Sequence, residues 1–419
     1  MHDLITRLYP ICRSITGDGV RETLRIIQEQ IPIELHEVPS GTKVLDWTVP
    51  KEWNIRDAWI KNAAGERVVD FTKLNLHVVS YSSPVRRRME LSELKPHLFT
   101  SPAHPDWVPY RTSYYEDSWG FCLSENQARQ LRDDKTYDVC IDSSLENGHL
   151  TYGELLLKGE EAEEVLISCH VCHPSLADDN LSGIALAVEL AKRLAESTRR
   201  YSFRFLFIPG TIGAITWLAR NEASVRRIRH GLVLTCVGDA APITYKRSRR
   251  GNAEIDRAFA HVLKQSGERH EIIEFFPYGY DERQYCSPGF NLPVGCLMRS
   301  RHGEFSEYHT SGDNLEFVKP EALTDSLEKC QAVLDVLEHN RVYLNQNPKG
   351  EPQLGKRGLY SAQSTGEDKR RRELALLWVL NLSDGEHSLL DVAERSDLPF
   401  EVIKEAAAAL TKTDLLTAK

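Results

Sequence analysis

No apolar run in this 419-residue chain approaches the roughly 20 residues that a membrane-spanning helix needs, so a helical membrane protein is not expected. The segment Met1–Pro10 has no basic stretch followed by an apolar core, which argues against a secretory signal, and no lipidation motif is evident. The nine cysteines are scattered and odd in number, so a disulfide framework is not expected and a reducing cytoplasm fits best. Positive charge is not in excess either. Fifty-two Lys and Arg against 61 Asp and Glu leave a net charge of −9, the sign that disfavours broad nucleic-acid binding. With 25 glycines, 19 prolines and 27% charged residues, the composition is not that of a collagen-like, low-complexity or disordered chain.

What is present is 41% apolar residues over a length that exceeds one ordinary core, so two or three domains are expected. Residues 1–41 carry a helical pattern with Leu24, Ile26, Ile27 and Ile31 in a charged background. Residues 42–150 consist of short apolar runs broken by Pro, Gly, Ser and Asn. They hold Trp47, Trp53, Trp59, Trp107 and Trp119, and Val68–Phe71, Leu74–Val79 and Tyr137–Ile141 predict strands of a β-rich domain. From 151 to 345 strands alternate with helices. Glu164–Cys169, Phe203–Ile208, Leu232–Val237 and Val294–Met298 are apolar almost throughout, as strands covered on both faces must be. Ser182–Ser197, Gly213–Asn221, Glu254–Gln265 and Pro320–His339 predict helices, and the alternation predicts an α/β layer fold with a mainly parallel sheet. Residues 346–368 read as a polar linker. Residues 369–419 carry three helical patterns, Arg370–Leu380, Leu389–Arg395 and Pro399–Leu410, spaced as in a winged-helix unit.

Open parallel sheets bind ligands beyond the carboxyl ends of their strands. Three such ends carry metal-ligating chemistry here: His170-Val-Cys172-His173-Pro174 with Asp178-Asp179-Asn180, then Gly238-Asp239, then Glu307-Tyr308-His309. Imidazole and carboxylate delivered by separate loops suit a zinc-type divalent ion. Each residue has a plain alternative. Asp179, Asn180 or Ser182 can cap the following helix, Asp239 can serve a turn, and His309 can be an ordinary polar residue. Cys169 and Cys172 form one Cys-x-x-Cys with no second pair and with Pro174 and a loop after it, which speaks against a structural zinc and a redox centre.

The order of a strand ending in His, Asp-Asn-x-Ser-Gly opening a helix, a later strand followed by Asp, and a late Tyr-His-Thr resembles the co-catalytic zinc aminopeptidases, whose fold also serves glutamate carboxypeptidase and glutaminyl cyclase. Further motifs resemble intracellular bacterial proteins with an aminopeptidase-like domain, an inserted β domain and a C-terminal winged helix. They are Arg13-Ser-Ile-Thr-Gly-Asp-Gly-Val-Arg21, Ser40-Gly-Thr-Lys-Val-Leu-Asp46-Trp47, His170-Val-Cys-His173-Pro174 and Glu307-Tyr-His309-Thr-Ser311. The resemblance covers essentially the whole chain. It implies a catalytic domain built from 1–41 and 151–345, with 42–150 inserted into it and expected over the metal rim.

The resemblance also implies site residues. His170 would be the first zinc ligand, Asp179 the carboxylate that bridges two zincs in the aminopeptidases, Asp239 and His309 the completing ligands, and His173 a substitute ligand. Two departures matter. Cys172 stands where the aminopeptidases orient the first His with Asp. Ile208-Pro209-Gly210-Thr211 stands where they carry a Glu-Glu pair, one general base and one ligand. Losing that ligand favours one Zn2+ over two. Losing the base, which typically contributes about 10²–10⁴-fold, leaves Glu307 as the replacement nearest in sequence. Arg299, Tyr280, Arg283 and Arg13 are the candidate substrate-binding residues.

Two functional readings follow. One is a zinc-dependent hydrolase of the aminopeptidase type that cleaves an amide of a small aminoacyl or peptidyl substrate with metal-activated water. The other is a metal-binding protein of the same fold without peptidase activity. Transcriptional regulation through the winged-helix unit is disfavoured: its third helix offers Glu401, Glu405 and Ala406–Ala409 rather than residues that read base edges. The expected partners are thus a small-molecule or peptide substrate and other copies of the chain, with no nucleic acid and no membrane.

Overall fold

The computed structural model describes residues 1–132, 135–360 and 367–419. They form two compact units, Met1–Gly251 with Glu271–Leu327, and Asn252–His270 with Glu328–Lys419.

The first unit is organised by eight strands: β1 (Glu34–Pro39), β2 (His149–Leu157), β3 (Glu164–His170), β4 (Ser202–Ile208), β5 (Ile228–Leu234), β6 (Ile243–Lys246), β7 (His270–Ile273) and β8 (Val294–Met298). They lie in one sheet in the order β1-β2-β4-β3-β5-β8-β6-β7. The inner four, β4, β3, β5 and β8, run parallel, while β2 and β6 flank them antiparallel. Every residue of β3 and β4 is buried, which is why these runs are apolar without alternation. The two ionised side chains among them, Glu164 and Arg204, are paired. Arg204 within β4 grips Glu164 of β3 with two hydrogen bonds of 2.6 and 3.0 Å and also pairs with Glu154. Helix α1 (Asp18–Gln28) buries Val20, Leu24, Ile26 and Ile27, and α2 (Gly183–Ala195) buries Ile184, Ala187, Val188 and Ala191 along one stripe. Helix α3 (Ile212–Arg220) follows β4.

Strand β5 starts earlier and ends earlier than its apolar run suggests. Cys236 takes a φ of +49°, which breaks the extended backbone before the run Leu232–Val237 is finished.

The segment between β1 and β2 leaves and returns at adjacent points, because Pro39 lies opposite His149. Its main sheet is antiparallel, with Arg67–Asp70, Glu52–Lys61, Thr136–Glu146 and Val85–Glu90 in that spatial order. Trp53, Ala58, Ile60, Val69, Val139 and Ile141 are buried there, and the Trp53 indole N–H donates to the Ser82 carbonyl at 2.8 Å. Leu74–Val79, expected as a strand, instead contains a 3₁₀ turn at Asn75–His77. The Asp70 carboxylate accepts from Thr72 at both N–H and hydroxyl, and the Asp70 carbonyl accepts from Lys73 and Leu74, which winds the chain out of extension.

In the second unit Val342–Asn345 is the central strand between Asp384–Ser388 and Leu416–Ala418, with antiparallel pairing on both sides. Helices Glu254–Ser266, Glu367–Leu382, Leu389–Ser396 and Phe400–Lys412 complete it. Ser388 begins Leu389–Ser396 with a reciprocal cap, its hydroxyl accepting from the Asp391 N–H and the Asp391 carboxylate accepting from the Ser388 N–H. The central strand precedes the segment expected as a linker and pairs with strands that follow it. Of that segment, residues 361–366 lie outside the described residues. Among the described residues no helix is long and apolar enough to cross a membrane.

Candidate metal centre

Strand β3 ends at His170, and the chain turns through Val171, Cys172 and His173 to a wide irregular turn, Ala177–Ser182, with non-helical backbone at Asp179 and Asn180, that leads into α2. This brings His170 Nε2 to 2.9 Å from Asp179 Oδ1 and to 3.1 Å from His173 Nδ1, with His173 Nδ1 3.4 Å from the same carboxylate oxygen. One donor atom from each of the three residues lies within 4.8 Å of the others. The loop after β8 adds His309, whose Nε2 is 3.0 Å from Asp179 Oδ2. The Asp179 carboxylate therefore faces His170 and His173 with one oxygen and His309 with the other. His170 and Asp179 are fully buried, and the His309 side chain is 33% exposed with its Nε2 buried, so His309 is the member of the centre nearest to solvent.

Backbone contacts fix these loops. Asp313 accepts the N–H groups of Asp178 at 2.6 Å and Asp179 at 2.9 Å, which ties the loop after β3 to the loop after β8. Arg13, wholly buried, donates from Nε to the His173 carbonyl at 2.8 Å. The inserted segment reaches the same rim. Tyr110 donates its N–H to the His309 carbonyl at 2.7 Å, Ser311 donates to the Val108 carbonyl at 2.8 Å, and the Tyr110 ring meets His173 and His309 edge-on, each at 5.1 Å.

Burial pushes the His170 imidazole down to about 3 against the pull of Asp179, and burial likewise lowers His309. Burial works against ionisation of Asp179, but His173, with the imidazoles of His170 and His309 close to its oxygens, holds its carboxyl well below the usual range. Neutral imidazole and ionised carboxylate are the forms that bind a metal. Asp179 Oδ2 and His309 Nε2 are buried and, although 3.0 Å apart, lack a hydrogen-bond partner among the described residues, and the imidazole nitrogens of His170 and His173 face one another at 3.1 Å. A divalent cation of the zinc type fits this set of nitrogen and oxygen donors.

The other expected site residues divide. Asp239 is not in the cluster: its Oδ1 accepts from the Ala241 N–H at 2.6 Å and its Oδ2 from the Ser300 N–H at 2.9 Å, so its oxygens hold the turn after β5. Glu307 is also outside it, its carboxylate accepting from the Ser306 hydroxyl at 2.8 Å. Arg299 is held by Asp325 at 2.8 Å and by the Ala241 carbonyl at 2.6 Å, which uses its guanidinium within the fold. Arg13 has no solvent exposure and serves the His173 backbone. Arg283, in the short helix Glu282–Tyr285, has a buried Nε without a hydrogen-bond partner among the described residues. Tyr280 lies in the centre, stacked on His170 with ring centroids 3.5 Å apart. Cys172 does not take the place of an orienting carboxylate. Its sulfur accepts from the Gly210 N–H at 3.3 Å and lies 3.4 Å from the Tyr280 hydroxyl.

Two residues, His302 and Asp313, were not singled out by their sequence context, whereas Tyr110 is among the aromatics expected to roof the pocket from residues 42–150. His302, buried and lowered by burial, stacks beyond Tyr280 at 6.0 Å with its Nε2 3.1 Å from the Thr235 hydroxyl. Asp313 and Tyr110 act through backbone contacts. Asp313 lies two residues beyond the motif Glu307–Ser311, whereas nothing in the local sequence marks His302.

A family described as a domain of unknown function (DUF4910) matches residues 2–340, and one described as a winged helix-turn-helix matches residues 341–418. A Clostridium acetobutylicum protein named as a polysaccharide biosynthesis protein with an aminopeptidase-like domain is 55% identical over 416 residues, 99% of this chain and 95% of that protein. The crystal structure of a Clostridium acetobutylicum protein named as a peptidase superposes with a TM-score of 0.95 at 53% identity, covering 100% of this chain and 96% of that chain. A zinc aminopeptidase from Bacillus subtilis superposes with a TM-score of 0.57 at 12% identity, covering 80% of this chain and 93% of that one, a likeness of fold.

Proposed function

The chain belongs to the DUF4910 family, and from its donor cluster and its likeness of fold to a zinc aminopeptidase we propose a zinc-dependent hydrolase that cleaves an amide of a small aminoacyl or peptidyl substrate. The observation that carries this reading is the convergence of His170, His173, Asp179 and His309 at the carboxyl ends of the parallel strands, with His170 and His309 kept uncharged by burial. Zinc bound there would supply a Lewis acid that polarises a carbonyl and acidifies water. The protein's own residues would do the rest. His170, His173 and Asp179 would hold the ion, with His309 on the open side. Tyr110, Tyr280 and Tyr308 would wall the substrate, since Tyr308 stacks on His309 at 4.0 Å and Tyr110 and Tyr280 pack on the other imidazoles. The relative's name suggests that the amide belongs to a molecule of saccharide assembly.

One observation favours a second reading, a metal-binding protein of this fold without peptidase activity. β4 is followed by Pro209, Gly210 and Thr211, none of which carries a carboxylate, and the carboxylate of Glu307 is engaged by Ser306, so neither place supplies a free base. Two measurements on the full chain separate the readings: metal content after growth in zinc, for the wild type and for His170→Ala, and release from a panel of aminoacyl anilides and amides. About one Zn2+ per wild-type chain, lost in the variant along with turnover, is the expected result. Zinc without turnover selects the second reading, and no metal in the wild type rejects both.

A further inference from the structure

His173 is held from every side. Its carbonyl accepts from buried Arg13, its ring edge meets Tyr110, its Nδ1 turns toward His170 and Asp179, and its Nε2 lies 3.4 Å from the Tyr280 hydroxyl. The Tyr280 hydroxyl in turn lies 3.4 Å from Cys172 Sγ, which already accepts from the Gly210 N–H. In the metal-free chain His173 Nδ1 also faces the Asp179 carbonyl at 3.2 Å, an acceptor, so the proton sits on Nδ1. A cation at Nδ1 requires the other tautomer, with the proton on Nε2, where the Tyr280 oxygen accepts it while the Tyr280 hydroxyl donates to sulfur.

The loop that carries Tyr280 is built for this place. Lys246 and Glu282 form a buried ion pair beneath it, Lys246 donates to the Tyr278 carbonyl at 2.9 Å, and Glu282 accepts the Tyr280 N–H at 3.1 Å. Asp281 accepts the Thr211 N–H at 2.6 Å. Gly279, at φ +152°, is the residue this packing demands, since a Cβ there would overlap Glu282 and Lys246. The ring so delivered lies flat on His170, 22° from its plane, and fills the space beside Gly210. A Cβ at residue 210 would lie 2.5 Å from Tyr280 Cζ and closer still to its hydroxyl.

We infer that Tyr280 is the positioning residue of a one-ion centre: its hydroxyl turns His173 Nδ1 toward the ion, and its ring closes the space at Gly210–Thr211 to any further ligand. The inference rests on the reading of this cluster as a metal site and adds to it which imidazole is held for the ion and by what. Groups that orient a metal-binding histidine typically contribute about 10–100-fold to metal affinity.

The test uses the full chain, freed of metal by a chelator and titrated with Zn2+ against a chromophoric competitor and with Co2+ by visible absorption. Tyr280→Phe keeps the ring on His170 and removes only the hydroxyl. The wild type should bind one ion. Tyr280→Phe should bind one ion about 10–100-fold more weakly, with altered Co2+ absorption bands and an unchanged melting temperature in chelator. A variant with affinity within twofold of wild type and the same Co2+ spectrum overturns the inference, as does a wild type that binds two ions. A wild type that binds none rejects instead the reading on which the inference rests.

Discussion

Acidification should destabilise the fold through His230, and the size of the effect follows from its surroundings. His230 lies in β5, buried, with its ring edge-on to Tyr201 at 5.3 Å and with neither ring nitrogen hydrogen-bonded. Burial, with Arg229 and Arg200 adding positive charge, pushes the imidazole from 6.5 down to about 3 in the folded chain. The unfolded chain therefore binds the extra proton between about pH 6.5 and pH 3, and the folded chain does not. Stability from this group is whole above pH 6.5 and is lost as pH falls toward 3. One unit below the unfolded value, at about pH 5.5, the loss is about 1.4 kcal/mol, and near pH 4.5 it approaches about 2.7 kcal/mol. His170, also lowered to about 3 by burial, adds a similar term in the metal-free chain, so the comparison must isolate His230. Urea unfolding of metal-free wild type and His230→Leu from pH 8 to pH 4.5 does so, because His170 is common to both. The difference between the two unfolding free energies should move by about 1.4 kcal/mol between pH 8 and pH 5.5, in favour of the variant. Parallel profiles would show that the folded chain protonates His230 as readily as the unfolded one, and the burial argument would fail.

Arg204→Met should cost about 3–5 kcal/mol in urea unfolding, because it leaves Glu164, 2% exposed, with Arg227 at 2.8 Å as its remaining charged partner. A loss under about 1 kcal/mol would mean that the buried network is dispensable. The winged-helix unit should form no sequence-selective complex with DNA in a low-salt fluorescence titration. Lys404 is engaged by Asp335 and Glu401, Lys419 donates to the Gly385 carbonyl, and the exposed face of Phe400–Lys412 offers Glu401 and Glu405 to phosphates. A sub-micromolar selective site would revive a regulatory role.

The fold was legible wherever burial on both faces writes itself as an unbroken apolar run. β3, β4 and β8 begin and end within one residue of the runs that mark them, and the stripe of Ile184, Ala187, Val188 and Ala191 sits on the buried side of α2. Legibility stops where a backbone angle or a distant partner decides. Nothing in Leu232–Val237 announces the φ of +49° at Cys236, and nothing in Leu74–Val79 announces that Asp70 will wind the chain. Val342–Asn345 is four residues long and half-exposed, and it becomes a strand because its partners lie some forty and seventy residues further on, which no local pattern carries.

The same division runs through the centre. A histidine ending a buried parallel strand and an aspartate opening the next helix are set by topology, so His170 and Asp179 could be brought together on paper before any coordinate was known. An aspartate after a strand looks the same whether it binds a cation or caps backbone N–H groups. Asp239 does the latter because the Ala241 and Ser300 amides lie within reach of its two oxygens. Arg13 and Arg299 show the converse. Their charge suggested a substrate, yet one is buried against the His173 carbonyl and the other is held by Asp325. Tyr280 was marked as a lining residue, but its contacts with His170, His173 and Cys172 depend on a loop held by Lys246, 34 positions earlier in the sequence, and by Glu282. Ligand chemistry is a property of residue type and can be read one position at a time. The orientation of a ligand is a property of its neighbours, and here the neighbours of His173 come from the N-terminal segment, the insertion and the Tyr278–Glu282 loop at once.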